Sequence, residues 1–313
     1  MNKFLWIVLL SLLIVVVILL CAANYFYNFA ILRRKKSFLA KDPDLGATTS
    51  GVKWESSKDW LKEKQMNIFN MKSYDNLNLK AIYLPCEAST NKTVILVHGY
   101  ASYGSAMASF AKFYLEELNF NVLMPDCRGH GESEGNYIGF GWHDRKDLLS
   151  WINLIIEKNG PNSQIILHGV SMGGGTVLMT SGEALPQNVK CIVSDCSYNS
   201  VEGILSYHLK RMFKLPKFPL LPFTSLISKL RAGYFFSEAS AVNQVKKSKM
   251  PILFIHGSAD KFVPTDMIHE LYNAASCEKQ LLIIDDATHA TAFWKDMNLY
   301  KKFVVDFLHK HML

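Results

Sequence analysis

Short apolar runs alternate with amphipathic stretches over most of this chain. The runs at 93–97, 121–124, 164–167, 191–194, 252–255 and 281–284 are nearly continuous in apolar character, as strands buried on both faces are. Between them, 105–118, 144–158, 173–183, 265–274 and 299–311 carry apolar residues at helical spacing; on the last, Phe303, Phe307 and Leu308 mark one face. Upstream, 67–73 and 77–84 flank Asp75-Asn76 and predict an antiparallel hairpin. Strands alternating with helices predict a mostly parallel sheet with helices on both faces. More than fifty residues separate the fourth and fifth of these strands, far more than one crossover helix needs, so about 198–248 reads as an inserted cap.

The first apolar run is of another kind. Phe4 to Ala23 is interrupted only by Ser11. Twenty helical residues rise about 30 Å, the thickness of a bilayer core. The run exceeds the h-region of a cleaved signal peptide, and Leu20 before Cys21 fits a lipobox poorly, so it reads as an uncleaved single-pass anchor. Tyr25, Phe26, Tyr27 and Phe29 then suit an aromatic belt, followed by Arg33, Arg34, Lys35 and Lys36. The expected organisation is an anchor with its basic flank over 1–36, a polar linker over 37–65 and a catalytic domain over 66–313.

Of the 313 residues, 49% are hydrophobic and 19% charged, which excludes a disordered or fibrous chain. The net charge is +7, but it is concentrated. Four positives follow the anchor, and six more (Lys210, Arg211, Lys214, Lys217, Lys229, Arg231) lie in the cap, where no acid falls between Glu202 and Glu238. Taking away those four and six leaves −3, so the body has no nucleic-acid footprint, and the two basic patches point to a membrane surface. Only Lys3 precedes the span, so the positive-inside rule places the body in the cytoplasm. Six cysteines without a CxxC pair fit a reducing compartment.

Gly169-Val170-Ser171-Met172-Gly173 joins a strand to a helix, the context in which G-x-S-x-G raises a serine hydroxyl above a sheet. A serine needs a base, and the base an orienting acid. Asp260 and His289 fall in the loops after the last two strands, at the sheet edge where Ser171 also lies. Asp285 and Asp286 are rival acids. The backbone N–H groups of Met172 and of Tyr100, the latter in the loop His98-Gly99-Tyr100, are the expected oxyanion donors. His98, His168 and His256, each before a glycine at a strand end, read as loop braces, and His130 and Ser133 as parts of a tight loop. Gly173-Gly174-Gly175 lacks the Lys of a phosphate loop, and no His/Cys/Asp spacing suits a metal, so neither cofactor nor metal is expected.

Taken together, His98-Gly99, Asp126-x-Arg128-Gly129-His130-Gly131-x-Ser133-x-Gly135, Gly169-x-Ser171-x-Gly173, Gly257-x-x-Asp260-x-x-Val263-Pro264 and His289 resemble the α/β-hydrolase superfamily. The likeness is to its serine-aminopeptidase, monoglyceride-lipase and cinnamoyl-esterase-like branch, in a membrane-anchored form of low-GC Gram-positive type. It covers about 66–313. It implies an α/β-hydrolase fold and a serine hydrolase using Ser171, His289 and Asp260 on a small-molecule or lipid ester. The apolar cap favours lipid-like or medium-chain acyl esters. Peptidase or acyltransferase chemistry on the same residues, or a catalytically silent tethered binding protein, are the rival readings.

Overall fold

The computed structural model describes residues 3–45 and 59–312. An eight-stranded sheet runs in the order β1-β2-β4-β3-β5-β6-β7-β8. Strands β1 (Asn67–Lys72) and β2 (Asn78–Leu84) form the expected hairpin, and β2 pairs antiparallel with β4 (Asn121–Pro125). All later pairs are parallel: β3 (Lys92–Val97), β5 (Gln164–Val170), β6 (Val189–Asp195), β7 (Ile252–Gly257) and β8 (Lys279–Ile284). The β-strand period of two divides the core between the faces. Ile95 and Val97 pack on one side with α3 (Asp144–Asn159), α4 (Met172–Ser181) and α8 (Asp266–Ala274). Val94 and Leu96 pack on the other with α2 (Ala108–Lys112) and α10 (Met297–His311). Each buried aliphatic side chain stabilises this arrangement by roughly 1.5–3 kcal/mol.

The helix expected over 105–118 is broken into a 3₁₀ turn (Gly104–Met107), α2 and a π turn (Phe113–Glu117). Phe113, Tyr114 and Leu115 of the widened turn are buried in succession against the sheet. The cap holds α5 (Val201–Phe213), started by the Ser200 hydroxyl accepting from the Gly203 amide at 3.0 Å, then α6 (Leu220–Ala232) and the short α7 (Ala241–Val245). Its cations are less free than their sequence bias implies. Arg211 pairs with Asp42 and Asp44, Lys217 with Glu202, and Lys229 with Glu238. Helix α9 (Ala292–Lys295) precedes α10. Of the polar linker, 46–58 lies outside the described residues, and a short helix over 59–62 ends it.

The N-terminal helix α1 (Lys3–Ala30) is long and apolar enough to cross a membrane. Its 28 residues rise about 42 Å, some eight residues more than a bilayer core needs. Eight residues at its C-terminal end, 23–30, meet the protein instead. Ala23, Tyr27 and Ile31, spaced four apart, are buried, and Tyr27 and Ile31 join the main core. Phe26 and Phe29 meet Phe213 edge-on at 4.9 and 5.3 Å. Arg231 of α6 donates to Asn24 at 3.0 Å and Asn28 at 3.2 Å and lies over the Tyr27 ring. Most of the expected aromatic belt is therefore covered by the cap; Tyr25 alone among its four residues is exposed. Beyond α1 the chain stays attached: the Arg33 amide donates to Asn136, and the Ile138 amide to Ile31.

Candidate active site

Strand β5 delivers Ser171 at the C-terminal edge of the parallel sheet, and α4 begins on the next residue. Ser171 sits at φ 57°, ψ −116°, a strained conformation that side chains seldom adopt. Two close approaches force the turn. A Cβ on Gly169 would lie 2.1 Å from the Gly173 carbonyl oxygen, and one on Gly173 would lie 1.9 Å from that of Val97. The Ser171 amide donates to the Asp195 carbonyl at 2.8 Å, fixing the turn to the neighbouring strand. The side chain of Asp195 accepts from the Tyr300 hydroxyl, and burial raises its carboxyl to about 6.

Loops after β7 and β8 bring the other two residues to Ser171. His289 Nε2 lies 2.8 Å from Ser171 Oγ, and His289 Nδ1 lies 2.8 Å from Asp260 Oδ2. The carboxylate only accepts, so Nδ1 carries the ring hydrogen and the Nε2 lone pair faces the hydroxyl. Asp260 Oδ1 accepts from the amides of Phe262 (2.9 Å) and Val263 (2.8 Å). His256 Nε2 faces two acceptors, Val263 O at 2.9 Å and Asp260 Oδ2 at 3.2 Å, so it donates. Burial works against the charge on Asp260, but His289, His256 and their hydrogen bonds outweigh it and hold the carboxyl well below its ordinary range. His256, expected to be a plain loop brace, thus also braces this carboxylate. The rival acids face solvent, and Asp285 Oδ1 accepts from Ser258.

The loop after β3 completes the arrangement. A Cβ on Gly99 would sit 3.4 Å from Ser171 Cβ, which puts this loop directly over the hydroxyl. No acceptor among the described residues takes the Tyr100 amide, and the Met172 amide stands in the unpaired first turn of α4.

A strand–serine–helix turn with its histidine and aspartate on the last two loops is the layout of one large group of enzymes. The family model described as "Serine aminopeptidase, S33" matches residues 88–217 and 225–296. The chain belongs to this family of α/β-hydrolases. It is similar to YqkD of Bacillus subtilis (28% identity, 82% of this chain and 88% of the relative). It is also similar to YfhR of Salmonella typhimurium (32% identity, 69% and 70%). Among solved structures it resembles an esterase of Pyrococcus furiosus, with a TM-score of 0.65, 25% identity, and 80% and 92% of the two chains covered.

In this hydrolase two spaces meet Ser171. One is an apolar pocket of about 70 Å³, walled by Phe29 of α1, Phe140, Ile204 and Met212 of α5, and Phe262. A second apolar space of about 50 Å³ shares Phe29, Leu205 and Met212 and continues between α1 and the cap. The other is an open groove of about 910 Å³ that reaches Ser171 and His289 and is rimmed by residues 33–36. The end of the apolar helix is therefore part of the site wall, which its hydropathy did not disclose. The alternation of Asn24 and Asn28 within an apolar helix is the one signal that could have.

His98, His130 and His168 are braces. His98 Nδ1–H donates to Gly99 O, and its Nε2 accepts from the Cys127 amide. His130 does the same between Arg128 O and the Ala101 amide, and burial holds its pKa down at about 3. His168 links Tyr114 to Tyr300. Ser133 accepts from the Lys80 amide and donates to Asp126 O. Cys196, Asp260 and His289 place ligand-type atoms within 4.8 Å of one another. They do not suit a metal: burial pushes the Cys196 thiol well up, keeping it protonated, and the other two are occupied with each other.

Proposed function

We propose that this hydrolase is a membrane-anchored serine esterase acting on lipid-like or medium-chain acyl esters. The observation that carries the reading is the Ser171–His289–Asp260 relay, 2.8 Å at each step, beside an apolar pocket. Ser171 Oγ attacks the acyl carbon while His289 takes its proton. The amides of Tyr100 and Met172 hold the oxyanion. The acyl carbon–oxygen bond of the ester then breaks, and His289 passes its proton to the departing alcohol. Water deacylates Ser171 by the same route and releases the acid. The apolar walls favour alkyl chains, since each buried CH₂ contributes about 0.8 kcal/mol. The family description names an aminopeptidase. Recognition of an α-ammonium group calls for a nearby carboxylate, and the described groove lining has none, which argues for esters over aminoacyl substrates.

On this reading the anchor is α1 and the cap meets the same membrane, since the cap leaves Phe218 and Leu230 each 77% exposed and Lys210 exposed without an ion-pair partner among the described residues. The test is fluorophosphonate labelling together with a panel of esters and an aminoacyl anilide. Wild type is labelled and turns over esters; Ser171→Ala is not labelled and loses about 10⁴–10⁶-fold in turnover. Labelling that persists in Ser171→Ala, or anilide turnover exceeding that of every ester, refutes the reading.

A further inference from the structure

We propose that the groove in front of Ser171 holds an anion-binding subsite built by Arg34 and Lys35. The substrates are then single-chain acyl esters whose alcohol part carries a phosphate or a comparable anion. This rests on the esterase reading above.

The lining of the groove is one-signed. Its described residues include Arg33, Arg34, Lys35 and Lys36 and no Asp or Glu. Two of these cations are consumed by the fold. Arg33 donates to the carbonyls of Gly131 (2.8 Å), Ser133 (2.7 Å) and Gly135 (3.2 Å). Lys36 is buried and donates to the carbonyls of Phe29, Ala30 and Leu32 at 2.6, 3.1 and 3.0 Å, closing the C-terminal end of α1. Arg34 and Lys35, between these two clamps, are exposed and have no hydrogen-bond or ion-pair partner among the described residues. A basic segment following a membrane span ordinarily runs along the lipid surface. Here the chain folds back instead. Leu32 bridges to Tyr137, and the Arg33 amide donates to Asn136, so the segment becomes the rim of the groove that contains Ser171. Two like charges on adjacent residues of one rim with no counter-charge favour an anion between them, and a guanidinium and an ammonium both suit phosphate oxygens.

The placement also matches one kind of molecule. Ser171 stands between a narrow apolar pocket and this cationic groove. An ester carbonyl with an alkyl chain on one side and an anionic alcohol on the other fits both at once. The apolar spaces beside Ser171, about 70 and 50 Å³, are small even for one alkyl chain and leave no room for a second. Hydrolysis forms the Ser171–acyl bond, breaks the ester C–O bond and releases the phosphate-bearing alcohol with the proton from His289. Water then frees the carboxylic acid and restores the serine.

The experiment uses the full chain in nanodiscs of neutral lipid, so that membrane charge does not enter. Monodecanoylglycerol and its 3-phosphate are compared at low salt. We expect kcat/KM to favour the phosphate ester by on the order of tenfold or more, two cations each contributing a several-fold effect. The ratio of the two falls about tenfold in Arg34→Gln/Lys35→Gln, and it falls with added salt. Equal kcat/KM for the two esters, or a ratio that the double variant leaves unchanged, overturns the subsite. An unchanged ratio with weaker association to anionic vesicles assigns the two cations to the lipid surface instead. If neither ester is turned over, the esterase reading fails separately. Titration of the Ser171→Ala protein with dodecyl phosphate then decides the subsite: binding at least tenfold tighter than in the added Arg34→Gln/Lys35→Gln background supports it, and equal binding overturns it. Inorganic phosphate run alongside separates a site for free phosphate, which binds without the chain, from one for the amphiphile.

Discussion

At the scale of single residues, Asp260 concentrates most of what is specific to this site. It takes two backbone amides on one oxygen and two histidines on the other, and so it is charged although buried. Asp260→Asn is expected to slow turnover by roughly 10⁴, because an amide in its place presents the wrong partner to His289 Nδ1. Asp285→Asn and Asp286→Asn, on exposed positions, should change kcat/KM by less than about threefold. A crippled Asp286→Asn enzyme refutes the assignment. The depressed folded-state pKa of Asp260 also fixes a sign in stability. Its contribution is present above its unfolded value of about 3.9 and disappears as pH falls through the lower folded value. Between pH 5 and 3 the melting temperature of wild type should therefore fall further than that of Asp260→Asn; parallel curves refute this. Ser171, Asp260 and His289 could be read from the sequence because each sits at a fixed place in a local pattern. His256 could not, because His-Gly at a strand end occurs three times in this chain and only the folded loop shows which one meets a carboxylate.

Elements were legible where burial on both faces makes a continuous apolar run. All six expected parallel-sheet segments appear, extended by three residues at most, and both hairpin strands appear one residue shorter than expected. Boundaries shifted where caps and turns decide them; α10, for example, starts earlier than expected because Asp296 accepts from the Leu299 amide. The packing of the C-terminal end of α1 against the cap was not legible, for a physical reason. Lipid and protein interior reward the same apolar side chains, so hydropathy does not distinguish the residues facing each. Phe29 offers the test. It stacks on Phe38, meets Phe213 and lines the apolar pocket. Phe29→Ala should lengthen the preferred acyl chain by about two to four carbons, read from kcat/KM over esters of graded length. An unchanged chain-length profile means that α1 does not shape the pocket.

For the molecule as a whole, the family was legible because its motifs are spread over the sheet in a fixed order, and the family model matches on both sides of a short break at 218–224 within the cap. Substrate was not, because a serine, a histidine and an aspartate in this layout serve many acyl transfers, and the spaces beside Ser171 are lined from α1, the basic segment and the cap. Orientation rests on charge alone. One lysine precedes the span and four cations follow within six residues of its end, so the catalytic body should face the cytoplasm. Protease added to intact spheroplasts should leave the body whole; its digestion there reverses the assignment.

The packing of Tyr27, Ile31, Arg231 and the clamps at Arg33 and Lys36 has a consequence for how this enzyme would meet its substrate. A nucleophile on a loose tether samples a volume. Here α1 is locked to the body that carries Ser171, so with α1 as the proposed anchor the height of the serine above the lipid plane becomes a constant of the fold. Reaction is then a two-dimensional encounter. Its rate should follow the mole fraction of ester in the surrounding leaflet, and diluting that leaflet with inert lipid should slow turnover even when the bulk concentration of substrate is unchanged.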